Sequence, residues 1–222
     1  MTVSTRSVVM SVESDVQSGA HAATETAAPA PVGNPLLLGL ATFLPGGITL
    51  GLWFVGYLDT ATLPGGMIPA VAICTGVFML VATVWAGRAG MSTVAAVLGT
   101  FAGFWASFGV LLIGLTSGWW GVTQAAQVAS VQRTYLLAFL IVFVLLTVAT
   151  LRLPIMYTLG LVFVDVTFAL AFIGVSAGNT GLFPIAGITT FVFCAIFAYI
   201  LVDGIGQDLG GRAMPMGNPM VK

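Results

Sequence analysis

The sequence predicts an all-α membrane protein of six transmembrane helices, both termini cytoplasmic. Three observations predict it. Hydrophobic residues make up 59% of the chain and charged residues only 6%. Six apolar runs follow Asn34, each close to the ~20 residues that cross a hydrocarbon layer as a helix. The breaks between the runs carry glycine, proline and single arginines. An ordinary soluble domain carries roughly a quarter charged residues. With a mean hydropathy of +1.10, this chain could not cover its own surface in water.

The chain opens on residues 1–33, rich in Ser, Thr, Ala and Val, with Glu13, Asp15 and Glu25 among them. The apolar stretch at Val8–Met10 is too short for a signal-peptide core and is followed by acids. The expectation is a disordered, uncleaved cytoplasmic tail. The spans are expected at 36–57, 66–87, 93–116, 135–151, 155–176 and 182–203, the fourth being the shortest. Turn signals separate them: Leu63-Pro64-Gly65-Gly66, Arg88-Ala89-Gly90, Arg152-Leu153-Pro154 and Ser176-Ala177-Gly178-Asn179. Unbroken apolar runs such as Leu136–Val148 do not alternate as the strands of a membrane barrel do. In hydrocarbon the backbone must satisfy itself, so the runs are helices. This divides the chain into a tail (1–33), a permease domain (34–205) and a cytoplasmic C-terminal tail (206–222).

Six spans put both termini on one side, together with Arg88, Arg152, Arg212, Lys222 and the more distant Arg6. The other side holds only Arg133, beside Asp59. The positive-inside rule then places the termini in the cytoplasm and the chain in the cell membrane. A net charge of −1 leaves no basic footprint for nucleic acid. The single histidine, His21, and the two cysteines, Cys74 and Cys194, form no ligand spacing, so no metal and no cofactor are expected. No serine–histidine pair or nucleotide loop gives an enzyme anything to work with.

Several features inside the spans bear on function. Gly39, Phe43, Gly47 and Gly51 recur at four-residue spacing and share a face of the first helix. Gly99 and Gly103 do the same on the third, and Gly174 and Gly178 on the fifth. Small residues so spaced let helix backbones approach closely, which by itself is ordinary packing. Phe43 stands out as a ring within a glycine stripe, suited to plugging a narrow passage. Pro45-Gly46-Gly47 removes a helix hydrogen bond and adds flexibility, so a kink or short break is expected there. Asp165 is the one acid deep within a span. It should face a cavity, find a partner on a neighbouring helix, or keep its proton. Trp119 and Trp120 suit an interfacial belt. Asp203 and Asp208, at the inner end of the last span, are expected to meet water.

The motif Asn34-Pro35-Leu36-Leu37-Leu38-Gly39-Leu40 resembles the Asn-Pro-Ala-Pro-Leu-Gly-Leu signature of the acetate uptake transporters, or succinate–acetate permeases. The resemblance continues at Gly56-Tyr57, Phe104-Trp105, Phe168-Ala169-Leu170, Ala177-Gly178-Asn179, Ala186-Gly187, Ala198-Tyr199 and Arg212…Pro215-Met216-Gly217. It implies a homohexamer in membrane lipid, each protomer carrying its own pore for acetate, related short monocarboxylates or succinate. It implies proton-coupled or channel-like movement, with protons as the second partner. Asn34, Pro35 and Gly39 would belong to the pore-entrance motif. Phe43, Phe101 and Val164 would form the constriction. The sequence departs from the family at Leu36-Leu37, at Pro45-Gly46-Gly47 and at Asp165, a candidate proton-handling or polar group. Alternative readings are a urea- or amide-type channel and a membrane sensing protein that transports nothing.

Overall fold

The computed structural model describes residues 33–58 and 67–221. The N-terminal tail through Val32, with Arg6 and His21, lies outside the described residues. So do Asp59, the Leu63-Pro64-Gly65-Gly66 turn and Lys222. The described chain is an antiparallel succession of six apolar helices long enough to cross a bilayer.

Helix α1 (Pro35–Phe54) starts sharply because Asn34 Oδ1 accepts the Leu36 N–H at 3.1 Å. Pro35, in the first turn, has no N–H to leave unsatisfied. Helix α2 (Pro69–Arg88) is π-helical over Pro69–Val77 and α-helical from Phe78. Helix α3 spans Ser92–Thr116, and α4 spans Ala125–Ala149 with one 3₁₀ turn, Thr150–Arg152. Helices α5 (Ile155–Ala177) and α6 (Leu182–Asp208) complete the bundle.

Two boundaries correct the sequence reading. The fourth span is not the shortest: α4 begins ten residues before position 135, at a cap made by Gln124 and Gln127. Its first turns carry Gln127, Ser130, Gln132 and Arg133, which dilute hydropathy while leaving helical hydrogen bonding intact. The last helix runs to Asp208, past the expected boundary at 205. Beyond it the C-terminal segment is docked. Met214 N–H donates to Asp203 Oδ1 at 2.6 Å, Met156 N–H to Met216 C=O at 3.3 Å, and Met220 N–H to Leu151 C=O at 3.0 Å. Asp203 therefore does not meet water. It is 6% exposed and also accepts from Gln207, whereas Asp208 is exposed as expected.

Glycines set how closely the helices meet. On α1, a Cβ at Gly47 would lie 2.7 Å from Cys194 Sγ, and one at Gly51 would lie 2.8 Å from the Phe191 ring, so α1 packs tightly on α6. A Cβ on Gly76 would meet the Ala106 backbone nitrogen at 2.8 Å, which brings α2 against α3. A Cβ on Gly99 would approach Thr83 at 3.1 Å, while Gly103 has open space beside it. The stripe predicted on α1 is thus spent on packing within the protomer. In contrast, α4 leaves Ile141, Leu145 and Val148 from 54% to 64% exposed, and α2 leaves Ile73, Leu80 and Val84 about half exposed. These are outward faces of a multi-pass membrane protein.

Candidate functional site: an aromatic plug between two cavities

Two cavities enter the bundle from opposite ends. The near cavity, on the side of the α1 N-terminus, measures about 80 Å³ and is lined by Leu36, Leu40, Leu98, Leu161 and Ile200 among others. The far cavity measures about 490 Å³ and is lined by Leu50, Leu112, Tyr135, Thr167 and Phe168 among others. Each of α1, α3, α4, α5 and α6 changes from one lining to the other along its length. On α1 the change falls between Phe43 and Leu50, and on α3 between Phe101 and Phe104. On α5 it falls between Leu161 and Thr167, the stretch that holds Val164.

What separates the cavities is a layer of rings. Phe43 stands edge-on to Phe101 at 5.2 Å and to Phe197 at 5.1 Å between centroids. Trp105 and Phe193 flank it at 5.8 Å each. Phe101 continues to Phe143 at 4.7 Å, and Phe143 to Phe168 at 4.9 Å. Edge-to-face pairs of this kind contribute about 0.5–1.5 kcal/mol each beyond the area they bury. Phe43, Phe101 and Val164 are 2%, 4% and 1% exposed. Phe43 and Phe101 belong to the ring layer, and Val164 is buried on α5 between the stretches that line the two cavities. The Trp105 side chain, 1% exposed, carries an indole N–H with no acceptor among the described residues. A buried donor left unpaired is uncommon enough to require a reason.

The other candidates fall elsewhere. Asn34 and Pro35 build the start of α1, and Gly39 gives Leu98 a place to pack. These are structural tasks on the near side. Asp165 lines neither cavity. Its Oδ2 accepts from Thr147 Oγ1 at 2.6 Å, so the carboxyl group lies in the α4–α5 contact. Thr147 also reaches the Phe143 carbonyl at 3.0 Å. Of the kink or short break expected at Pro45, the break is absent, since α1 is continuous through it. Beside the proline, another helix bonds to α1: Thr75 Oγ1 accepts the Gly46 N–H at 3.0 Å and donates to Thr42 C=O at 2.8 Å.

The core thus holds two cavities with a layer of aromatic rings between them. The model of the GPR1/FUN34/yaaH family matches residues 16–208. The chain belongs to the GPR1/FUN34/yaaH family. Two curated relatives from Saccharomyces cerevisiae, accumulation of dyads protein 2 and ammonia transport outward protein 2, are each 27% identical over 186 residues. Those alignments cover 80% of this chain, which spans 64% of the length of each relative. Among solved structures, that of the bacterial acetate channel SatP matches with a TM-score of 0.74 and 22% identity. It covers 84% of this chain and 100% of that one. The six-helix arrangement is thus shared with that structure.

Within this family member, sequence reasoning missed Phe193, Phe197 and Trp105 as partners of Phe43, and Phe143 as a partner of Phe101. One signal was present: Phe193 and Phe197 recur four apart on α6, as Phe101 and Trp105 do on α3. Thr75 had no sequence signal at all, being one threonine in an apolar run.

Proposed function

We propose that this chain is a cell-membrane permease or channel for acetate and related short monocarboxylates, working as a homohexamer with one pore per protomer. The observation that carries the reading is the aromatic layer centred on Phe43, set between two cavities in a member of this family. The physical reason lies in desolvation. Moving an isolated carboxylate into a medium without water costs tens of kcal/mol in the ideal limit, whereas a neutral acid costs a few. A substrate crossing the layer therefore carries its proton or travels with one. The Trp105 indole N–H, at the level of the rings, is a donor for the carboxyl oxygen of a passing acid. The narrowness of the layer admits two-carbon acids and holds back larger metabolites. The charge asymmetry of the loops supports cytoplasmic termini.

The test is uptake of labelled acetate into proteoliposomes under an imposed pH gradient. Uptake should rise as the external pH falls toward the acid's own pKa, and unlabelled acetate, but not urea, should compete. Liposomes that take up methylammonium or urea and ignore acetate would overturn the reading. The name of one yeast relative makes methylammonium the necessary control.

A further inference from the structure

Phe43 lies on a stretch of α1 that another helix supports. Pro45 has no N–H to give to Ala41 C=O. Thr42 and Gly46, on either side of Phe43, both bond to α2: Thr75 Oγ1 accepts the Gly46 N–H at 3.0 Å and donates to Thr42 C=O at 2.8 Å. Thr42 and Gly46 bracket Phe43 in sequence, so the bridged turn is the turn that carries the ring. Position 46 must be glycine for this to occur, because a Cβ there would collide with the Thr75 hydroxyl.

The strut that delivers the hydroxyl is itself rigid. Thr75 is fully buried and lies in the π-helical stretch Pro69–Val77. Such departures from α-geometry occur disproportionately at functional positions. Its neighbour Gly76 rests directly on the Ala106 backbone of α3, and Gly109 of α3 receives Ala72. Helix α3 also carries Phe101 and Trp105, the rings on which Phe43 leans. One helix therefore fixes both the partners of Phe43 and, through α2, the backbone turn beneath it.

We propose that Thr75 is a positioning residue for the pore: its hydroxyl, bonded to the α1 backbone on both sides of Phe43, sets where the Phe43 ring closes and hence the size of acid admitted. This rests on the reading of Phe43 as the constriction. With both bonds made, the Thr75 hydroxyl ties this turn to α2, and Phe43 sits against Phe101 and Phe197. Without the hydroxyl the turn loses that tie, and the ring is free to move with it.

The experiment uses the full-length protein in proteoliposomes and compares Thr75→Val, Thr75→Ser and Phe43→Ala. Valine keeps the shape and removes both hydrogen bonds, while serine keeps the hydroxyl. The readouts are the ratio of benzoate to acetate uptake and the amide exchange of a peptide covering residues 42–46. Thr75→Val should shift the ratio by about fivefold, the scale of one lost hydrogen bond, and speed exchange in that peptide. Thr75→Ser should keep both near wild type. If the valine variant does not assemble, Thr75→Ala replaces it. That variant lacks the same hydroxyl and should likewise shift the ratio and speed exchange in the peptide. An unchanged ratio in the Thr75 variants, with Phe43→Ala shifting it, would overturn the positioning role alone. If Phe43→Ala shifts nothing either, the constriction reading falls and the proposal falls with it.

Discussion

The two cavities differ in more than volume. The far one, at about 490 Å³, holds Gln132, Tyr135, Thr167 and Thr180 among its walls and is wide enough for a small acid with water. The near one, at about 80 Å³, is walled almost wholly by hydrocarbon. Its surroundings are also the more heavily tied. The docked C-terminal segment bonds to Leu151, Met156 and Asp203, which adjoin the near-cavity residues Leu153, Tyr157 and Ile200. In the far cavity the Tyr135 hydroxyl donates to Phe104 C=O at 2.9 Å, so even its polar walls are anchored by helix contacts. The comparison teaches that the space on the two sides of the rings is not symmetric. On the proposed reading, a solute leaving the wide side meets Phe43 and then a slot with almost no room, so size selection would belong to the plug and the near side together.

The largest test of this asymmetry is Phe43→Ala, which deletes the ring that divides the cavities. Uptake of propionate, butyrate and benzoate relative to acetate should rise, and the unfolding midpoint should fall. Loss of a buried phenylalanine ring costs about 3–5 kcal/mol in protein cores. An unchanged range of acids in an assembled variant would remove Phe43 from the constriction. A matched pair of substitutions sharpens the comparison further. Leu161→Phe, in the near cavity, should cut acetate uptake by about ten- to a hundredfold, since overpacking costs about 1–3 kcal/mol. Leu112→Phe adds the same group to the far cavity and should leave uptake within about twofold, because the larger space absorbs it. Equal losses from the two would show that the volumes do not govern flux.

The smallest expected effect is at Asp165. Its carboxyl group meets Thr147 and lies outside both cavity linings. Asp165→Asn keeps the shape and the acceptor oxygen. The pH profile of acetate uptake should therefore match wild type, with the proton travelling on the substrate. A flattened profile would place Asp165 in proton transfer and extend the working site beyond the two cavities.

Legibility in the sequence followed the range of the physics. The existence of six spans could be read because the need for about 20 apolar residues per crossing is local to each segment. The start of α4 could not, because Gln127, Ser130 and Arg133 continue a helix beyond the apolar run that betrays it. Phe43 was visible as a ring among glycines, and Phe101 and Val164 came by resemblance. Phe197 was invisible for a simple reason. In an apolar run, a phenylalanine facing lipid and one facing the plug look alike: Phe78 is 48% exposed and Phe197 is 7%. Asp203 was misread because the segment that buries it, Met214 and its neighbours, returns from beyond the helix end.

The sequence by itself determined that this chain is a bundle of six membrane helices and that Phe43 stands within a glycine stripe on the first. Hydropathy, glycine spacing and the Asn34-Pro35 cap act within single segments, so no partner is needed to read them. Only the tertiary structure decided which rings lie between the cavities, that Asp165 turns to Thr147, and that Thr75 bonds to the turn that carries Phe43. Each of these depends on how far a helix is rotated about its own axis. Successive residues point about 100° apart, so one residue's worth of rotation would carry Asp165 or Thr75 out of contact. That rotation is set by pairwise contacts such as Gly47 on Cys194 and Gly76 on Ala106, which exist only once the helices have met.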